Sequence, residues 1–268
     1  MKNGMVVKAN KVVEASYRLS LNEQRLILNC IRQIKKGQEI TPQTKFIIPA
    51  LEFGDMYNIP SKHVYAELQK AAERLHERFV TIANPDPDDP SVAYTRTHWI
   101  SSIDYKPQEG QLVLRFAYRI IPYIAMLESE FTRYNLEAVA DMESIYGIRF
   151  YELFKCWMYS RTGGEKEIAL EELKAILELK GCYASIKDFK LRVIEPAMRD
   201  INNHSDLQAS YTQRKQGRRV SHLIFSFNYK PDQQPPKKLS KADIERHAKP
   251  GESWDAAAKR LRAELKGK

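Results

Sequence analysis

The same order of predicted elements occurs twice along this chain, and this repeat limits the folds that the chain can adopt. In the first half, Ser20 can cap a long helix that Gly37 ends. A short strand at residues 46–48 and a brief helix at 49–57 follow. After a tight turn, Ser61 caps a second long helix. Two helices joined by a short turn make a helix-turn-helix candidate.

Strand-like runs follow this second helix, at residues 79–83, 94–105 and 112–116. A helix-turn-helix followed by a β-hairpin is a winged helix. Aromatic and apolar residues that alternate along the strands of both halves are expected in the core: Trp99, Tyr105, Phe116, Leu223, Phe225 and Phe227. Apolar residues of the second helix recur at helical spacing: Val64, Leu68, Ala71, Ala72, Leu75 and Phe79.

The second half of the chain repeats this order. Its second long helix has one apolar side, with Ile186, Phe189, Val193, Ile194, Ala197, Met198 and Ile201 predicted to face inward. The predicted elements are a helix at 145–159, a short strand at 168–169, a brief helix at 170–177, a turn at 181–183, a long helix at 185–202, and strands at 207–211 and 220–229. The sequence therefore predicts an α+β fold of two tandem winged-helix domains, related by a pseudo-two-fold duplication, plus a C-terminal tail.

The chain divides by this scheme into four parts. We expect an N-terminal winged-helix domain at 1–126, a connector at 127–133 and a C-terminal winged-helix domain at 134–230. Residues 231–268 form a linker and tail, in which residues 231–251 are rich in proline and lysine. Ser253 can cap a last helix that places Trp254, Ala257, Leu261 and Leu265 on one side.

Positive charge is concentrated in the second half of the second domain. The whole chain has a formal net charge of +9, which suggests a polyanionic partner. Residues 134–179 carry five basic and nine acidic side chains, whereas residues 180–230 carry ten basic and four acidic ones. This distribution favours double-stranded DNA as the partner, contacted by the second domain.

A helix that reads the major groove needs polar and basic side chains on its outer face near its N-terminus. The helix at 185–202 meets this requirement, and the hairpin after it has a basic tip whose cations repel each other unless a polyanion lies between them. Arg192 is the best candidate for a bidentate contact to guanine. The predicted DNA-binding residues of the second domain are Ser185, Lys187, Asp188, Lys190, Leu191 and Arg192 on the helix, and Arg214, Lys215, Arg218 and Arg219 on the hairpin.

The first domain carries a weaker version of the same pattern. Glu67 and Glu73 dilute the basic residues of its second helix, so this domain is expected to contact the DNA backbone and to serve mainly in association between chains. Its predicted DNA-binding residues are Lys62, His63, Tyr65, Lys70 and Arg74.

No pattern typical of an enzyme is present, and no cofactor, metal site or catalytic residue is predicted. The six histidines are isolated, and the three cysteines show no C-x-x-C spacing and are expected to be buried thiols. No phosphate-binding glycine loop occurs, and the aspartates of the loop at 86–90 lie between prolines in a poor frame for a metal. No signal peptide or membrane span is expected, which favours the cytoplasm.

The chain resembles the iteron-binding replication initiator proteins of bacterial plasmids, a family of paired winged-helix proteins. The resemblance covers roughly residues 7–229 in family order, which makes it specific. The matching segments are Ser20-Leu21-Asn22-Glu23-Gln24-Arg25, Trp99-Ile100-Ser101-Ser102-Ile103-Asp104-Tyr105, Pro122-Tyr123, Phe131-Thr132-Arg133-Tyr134, Ser144-Ile145-Tyr146-Gly147-Ile148-Arg149, Tyr151-Glu152-Leu153, Phe189-Lys190, Pro196-Ala197, Ile201-Asn202 and Ile224-Phe225-Ser226-Phe227.

The resemblance implies that the protein binds direct repeats at a plasmid origin as a monomer, opens the duplex with the host replication initiator and loads the replicative helicase. It also implies a dimer, associating through the first domain, that represses the protein's own gene. The family often carries a basic run in the reading helix, where this chain has Lys190-Leu191-Arg192. Leu191 is therefore expected to replace one polar base contact by a contact with a thymine methyl group.

Three other functions fit part of the pattern. A dedicated transcriptional repressor could use the same fold, but two unequal domains in one chain favour asymmetric direct repeats over a palindrome. A nicking replication enzyme needs a metal-binding histidine pair and a nucleophilic tyrosine, and the histidine pair is absent from the sequence. An RNA-binding or scaffold protein is distinguished by competition with duplex DNA at matched salt.

Overall fold

The structure is a computed structural model that describes residues 4–83, 89–125, 127, 129–234, 241–249 and 251–266. The chain separates into two compact units, Met1–Asn228 and Tyr229–Lys268. The larger unit contains both copies of the predicted repeat. Part of the predicted aspartate and proline loop at 86–90, residues 86–88, lies outside the described residues.

The first copy contains both predicted helices of the helix-turn-helix and the hairpin after them. Its fold also includes an N-terminal strand and short helix that precede the predicted repeat. The elements are β1 (Met5–Ala9), α1 (Asn10–Val13), α2 (Leu21–Ile31), β2 (Phe46–Pro49), α3 (Ala50–Tyr57), α4 (Ser61–His76), β3 (Phe79–Ala83), β4 (Tyr94–His98), β5 (Ile100–Lys106) and β6 (Gln111–Phe116).

The second copy follows the first with the same order of elements, apart from β3 and β4. The helix predicted at 185–202, called the reading helix below, consists of two α-helical pieces on either side of a π-helical turn. The elements are β7 (Phe131–Asn135), α5 (Glu137–Ala140), α6 (Ile145–Trp157), β8 (Gly163–Ala169), α7 (Leu170–Ile176), α8 (Ile186–Phe189), the π-helical turn (Lys190–Ile194), α9 (Glu195–His204), β9 (Leu207–Gln216) and β10 (Arg219–Tyr229).

The sheets confirm that the chain is a duplication. Each copy has a three-stranded sheet whose last strand lies in the middle, in the orders β2-β6-β5 and β8-β10-β9. Between α4 and β5 the first copy also carries an antiparallel ribbon, β3–β4, that has no counterpart in the second. The predicted fold class, two tandem winged-helix domains in an α+β fold, is confirmed.

The strands that open the two copies pair with each other. β1 and β7 are antiparallel, with Val7 opposite Arg133. Each strand leads into a short helix and then into the long helix of its own copy, so equivalent strands meet head to tail as a pseudo-two-fold axis requires. The connector expected at 127–133 therefore includes the first residues of β7.

A buried polar network joins the two copies beside this pair of strands. The Lys8 ammonium of β1 lies 2.6 Å from the Glu152 carboxylate of α6, and both side chains are almost fully buried. The Tyr134 hydroxyl donates to the same carboxylate. Burial lowers the pKa of Lys8 and raises that of Tyr134 well above its usual value. Charges buried this deeply are tolerated only when they are paired, so the network ties the two copies together.

The first helix of the first copy, α2, contributes a second set of contacts to the other copy. Its predicted capping box is present, since the Ser20 hydroxyl accepts from the Glu23 amide and the Glu23 carboxylate accepts from the Ser20 amide. The Gln24 side chain donates to the Ile145 carbonyl at 2.8 Å. The helix is buried on almost every side and ends at Ile31, six residues before the predicted end at Gly37.

Several predicted boundaries and core assignments were wrong. Ser61 is the first residue of α4 and does not cap it, because Pro60 occupies the cap position. Phe79 belongs to β3 instead of the preceding helix, and α6 ends at Trp157 instead of residue 159. Trp99 and Phe116 lie in the core with Leu223, Phe225 and Phe227, but Tyr105 is 40% exposed near the end of β5.

The cysteines were also placed only partly correctly. Cys30 is buried as predicted, and burial raises the pKa of its thiol. Cys156 is half-buried, and Cys182 is exposed in the turn before the reading helix. All three are free thiols.

The smaller unit, Tyr229–Lys268, is a helical hairpin with a small core of its own. Ile244, Ala257, Ala258 and Leu261 form this core. Ser253 caps the second helix as predicted, accepting from the Ala256 amide at 3.3 Å, but Trp254 is 44% exposed. The helices are α10 (Lys241–His247), inside the stretch expected to be a linker, and α11 (Trp254–Lys266).

Candidate nucleic-acid interface

The reading helix of the second copy has one buried and one exposed side. Phe189, Val193, Ile194, Ala197, Met198 and Ile201 are buried as predicted, and Ile186 is only half-buried. The exposed side begins at Ser185, which occupies the N-cap position. Lys187, Asp188, Leu191 and Arg192 are all exposed, so the helix presents polar, basic and apolar groups together to solvent.

A proline lies inside this helix and coincides with a change in its geometry. Pro196 is the second residue of α9, directly after the π-helical turn. The amide of Glu195 donates to the carbonyl of Lys190, five residues back, where an α-helix would use Leu191. The sequence predicted one regular helix at 185–202, and this wide turn was missed.

Lys190 connects the reading helix to the wing, which is the hairpin formed by β9 and β10. Its ammonium donates to the Gln213 amide oxygen on β9 and lies 5.5 Å from the centre of the Tyr211 ring on the same strand. Burial, assisted by the nearby Glu195 carboxylate, raises the pKa of Tyr211. The half-buried Lys190 therefore belongs to the joint between helix and wing, while Leu191 and Arg192 remain exposed.

The wing is longer than the sequence predicted. β9 continues to Gln216 and β10 begins at Arg219, so that only Gly217 and Arg218 form the turn. Gly217 has a φ of 63° and Arg218 has a negative φ, which is the pattern of a type II′ hairpin turn. Lys215, Arg218 and Arg219 are exposed, and no ion pair involves them among the described residues.

Arg214 differs from the other three cations of the wing. Its guanidinium donates to the Glu167 carboxylate, and the two residues form an ion pair. This hydrogen bond holds the pKa of Glu167 below its usual value. Arg214 therefore links β9 to a residue of β8, which is on the far side of β10 in the sheet. The predicted set of four free wing cations is reduced to three.

The equivalent helix of the first copy is arranged differently. Lys62 and His63 are exposed at its N-terminus, and Tyr65 is half-buried. The Lys70 ammonium lies 3.7 Å from Glu67, and the Arg74 guanidinium lies 3.3 Å from the buried Glu23 carboxylate. Two of the five predicted contact residues of this helix are thus already paired within the protein.

Sequence reasoning missed three residues that shape this interface: Tyr211, Gln213 and Glu167. None belongs to a motif, because each acts on a side chain from another element. One signal was available, since the alternation along β9 places Tyr211 and Gln213 on the same side of the strand. Glu167 carried no comparable signal.

The described residues contain neither a candidate metal site nor a helix that could cross a membrane. Within them, no cluster of histidine, cysteine, aspartate and glutamate side chains could hold a metal ion. No helix in the described parts of the chain has both the length and the apolar character needed to cross a bilayer.

Comparison with known proteins agrees with this architecture. Residues 5–155 match the sequence model described as "Initiator Replication protein, WH1", and residues 169–227 match "Initiator Rep protein, WH2". The chain belongs to the Rep3 family of initiator replication proteins. The first matched Rep3 segment covers the first winged-helix copy and continues through β7, α5 and most of α6, and the second covers the second copy from the end of β8 onward. The tail unit follows both segments in the sequence.

Individual Rep3-like proteins are similar over most of the chain. An Escherichia coli "Replication initiation protein" is 29% identical over 233 residues, covering 84% of this chain and 70% of the relative. The Escherichia coli "PI protein" is 22% identical over 263 residues, covering 85% and 86%. A solved structure of Pi initiator protein in complex with iteron DNA superposes with a TM-score of 0.73 at 23% identity, covering 87% of this chain and 100% of that one. This likeness shows the paired winged-helix fold.

Proposed function

We propose that this Rep3 family member is a plasmid replication initiator that binds direct repeats, or iterons, at its origin as a monomer. It then promotes opening of the origin together with the host replication initiator and loading of the replicative helicase. As a dimer it represses its own gene. It acts in the cytoplasm and has no catalytic step of its own.

One observation carries this proposal: a single compact unit holds two winged helices with unequal exposed surfaces. The second copy presents the exposed side of its reading helix and three unpaired wing cations, and the first presents chiefly Lys62 and His63. Two unequal readers held in a fixed arrangement suit an asymmetric site, which a direct repeat provides and a palindrome does not. The structure similar to this chain was solved with iteron DNA bound, which supports the same choice of ligand.

The contacts that we propose follow from the chemistry of each surface. Arg192 and Leu191 read bases in the major groove, a guanine through the guanidinium and a thymine methyl group through the leucine. Lys215, Arg218 and Arg219 bind phosphates and follow the adjacent groove. Lys62 and His63 hold the first copy against the backbone of the duplex. Lys190 and Arg214 act mainly by fixing the wing.

We place the dimer contact in the first copy, on the ribbon β3–β4. β4 pairs with β3 along one edge, and within the described residues no strand pairs with its other edge. Tyr94 at the start of β4 is 64% exposed. An unpaired strand edge is a template for pairing with a second chain, and antiparallel pairing of two β4 strands satisfies a two-fold axis.

The DNA-binding part of the proposal is tested by footprinting the protein on the DNA that flanks its gene. Protection of several direct repeats, spaced by whole helical turns, is the expected result. Protection of a lone palindrome would make the protein a dedicated repressor with the same fold. Equal competition by RNA and duplex DNA at matched salt would reject both readings. Strand cleavage with magnesium or manganese would show a nicking activity instead.

The dimer is tested separately by measuring its dissociation constant with analytical ultracentrifugation. Tyr94→Asp places a charge on the ribbon edge and is expected to favour the monomer. Tyr118→Asp is a matched control, because Tyr118 is 62% exposed and lies outside the ribbon. If both variants dimerise like the natural chain, the ribbon is not the contact.

Permanganate probing of origin DNA, with and without the host initiator, tests the opening step.

A further inference from the structure

The wide turn in the reading helix points to a residue that governs recognition without touching DNA. This inference rests on the function proposed above. We propose that Pro196 is a positioning residue: by forcing the π-helical turn at Lys190–Ile194, it sets the direction in which Leu191 and Arg192 leave the helix. Changing Pro196 would therefore alter which base pairs the protein prefers, although the residue itself makes no contact with a base.

The physical cause lies in the backbone of proline. Pro196 has no amide hydrogen to donate to the carbonyl of Arg192, and in a regular α-helix its ring would collide with that carbonyl. A helix can avoid the collision by bending or by widening. Here the amide of Glu195 donates to the carbonyl of Lys190, so the turn before the proline takes up an extra residue.

The extra residue rotates the two halves of the helix relative to each other about the helix axis. Successive residues of an α-helix are rotated by about 100°, so an inserted residue offsets the two halves by about that angle. Both halves are anchored in the core, the first by Phe189 and the second by Ala197 and Ile201, all 0% exposed. Within the wide turn, Leu191 and Arg192 both face solvent and the next two residues are both buried. With this turn, Phe189 in the first half and Ala197 and Ile201 in the second half are all buried, while Leu191 and Arg192 stay exposed.

The wing holds this arrangement from outside the helix. Lys190, the first residue of the wide turn, is bound to Gln213 and packs on Tyr211. If the helix relaxed to a regular form, the residues before Pro196 would turn by about 100° relative to Ala197 and Ile201, and Lys190 would have to leave Gln213 and Tyr211. The guanidinium of Arg192 would then point elsewhere relative to the wing cations that we propose bind phosphate.

The test is the variant Pro196→Ala in the full chain. Its helix should become regular, with the amide of Glu195 bound to Leu191, as a crystal structure of the variant would show. In selection from a randomised half-site, its preferred bases should differ from those of the natural chain at the positions read by Leu191 and Arg192. Affinity for the natural repeat should fall at least about tenfold, while the slope of affinity against salt should stay the same, because the phosphate contacts are kept.

Asn203→Ala is the matched control, since it adds a helix-favouring alanine at an exposed position of the same helix. It should change neither the geometry nor the preferred bases. A wide turn that persists in Pro196→Ala would overturn the inference, because the proline would not be its cause. A regular helix that selects the natural bases would also overturn it. If the natural chain itself selects no sequence, the proposed function fails, and the positioning role fails with it.

Discussion

The two winged-helix copies have the same topology but use their charges in different ways. In the first copy, the buried Glu23 carboxylate binds both Arg74 and Arg78, and Glu67 binds Lys70. In the second copy, Lys187 and Arg192 have no such partner among the described residues. The charges of α4 are therefore partly neutralised by its own domain, whereas Lys187 and Arg192 stay unpaired within the part of the chain that the structure describes.

The fold has thus been duplicated without duplication of its charged surface. In the first copy, Lys70 and Arg74 are paired with carboxylates of the same copy, so they add less positive charge to its surface. The first copy instead carries the extra ribbon β3–β4 and half of the buried network that joins the copies. We infer a division of work in which the first copy supports assembly and register, and the second copy reads the sequence.

The largest expected effect concerns the network that joins the copies. Lys8→Ala leaves the buried Glu152 carboxylate without its cation, and breaking a buried ion pair in this way costs about 3–5 kcal/mol of folding stability. Urea denaturation followed by circular dichroism measures the loss. Lys36→Ala, at an exposed position, is the control and should cost little. A loss in Lys8→Ala as small as in the control would mean that the copies do not depend on this contact.

The next largest effect distinguishes base reading by the second copy from backbone contact by the first copy. Arg192→Ala should reduce the preference for the correct repeat over a mismatched one by about 1–3 kcal/mol, because a bidentate contact to guanine is lost. Lys62→Ala, at the corresponding end of α4, should weaken binding to both sequences equally. Competition binding with matched and mismatched duplexes measures both variants. Uniform weakening by Arg192→Ala would remove the reading role from this helix.

Much of the fold and part of the candidate site could be predicted from the sequence, because helix and strand periodicity is a local property. The strands and short helices that open each copy, β1, α1, β7 and α5, were not predicted, whereas the order of the other elements, most of the buried side of the reading helix and the basic wing were predicted correctly. The pairing of Arg74 with Glu23 and of Arg214 with Glu167 was not, since these partners are far apart in sequence. The wide turn had a local signal, Pro196, but its apolar spacing also fits a regular helix.

The third effect concerns the wing. Arg218→Ala should weaken binding to all sequences and lower the slope of log affinity against log salt by about one, because one phosphate contact is lost. Gln108→Ala, at the exposed tip of the corresponding hairpin in the first copy, is the control and should leave the slope unchanged. Titrations at several salt concentrations give both slopes. If the two variants behave alike, the wings of the two copies do not differ in their contacts with phosphate.

The smallest effect tests whether internal pairing is what weakens the first copy. Glu67→Gln frees Lys70, whose pairing across one helical turn is worth about 0.2–0.5 kcal/mol, so affinity for DNA should rise by about twofold at most. Glu52→Gln removes the same charge from the exposed side of α3 and controls for the change in net charge. Parallel titrations at low salt, where such effects are least screened, measure the difference. A gain in Glu67→Gln beyond that of the control would show that the first copy has a cation in position to bind the phosphate backbone, held back by its own carboxylate. Equal gains would show that the rise in affinity comes from the change in overall charge. The weak DNA binding of the first copy would then result from the shape of its surface and not from internal pairing.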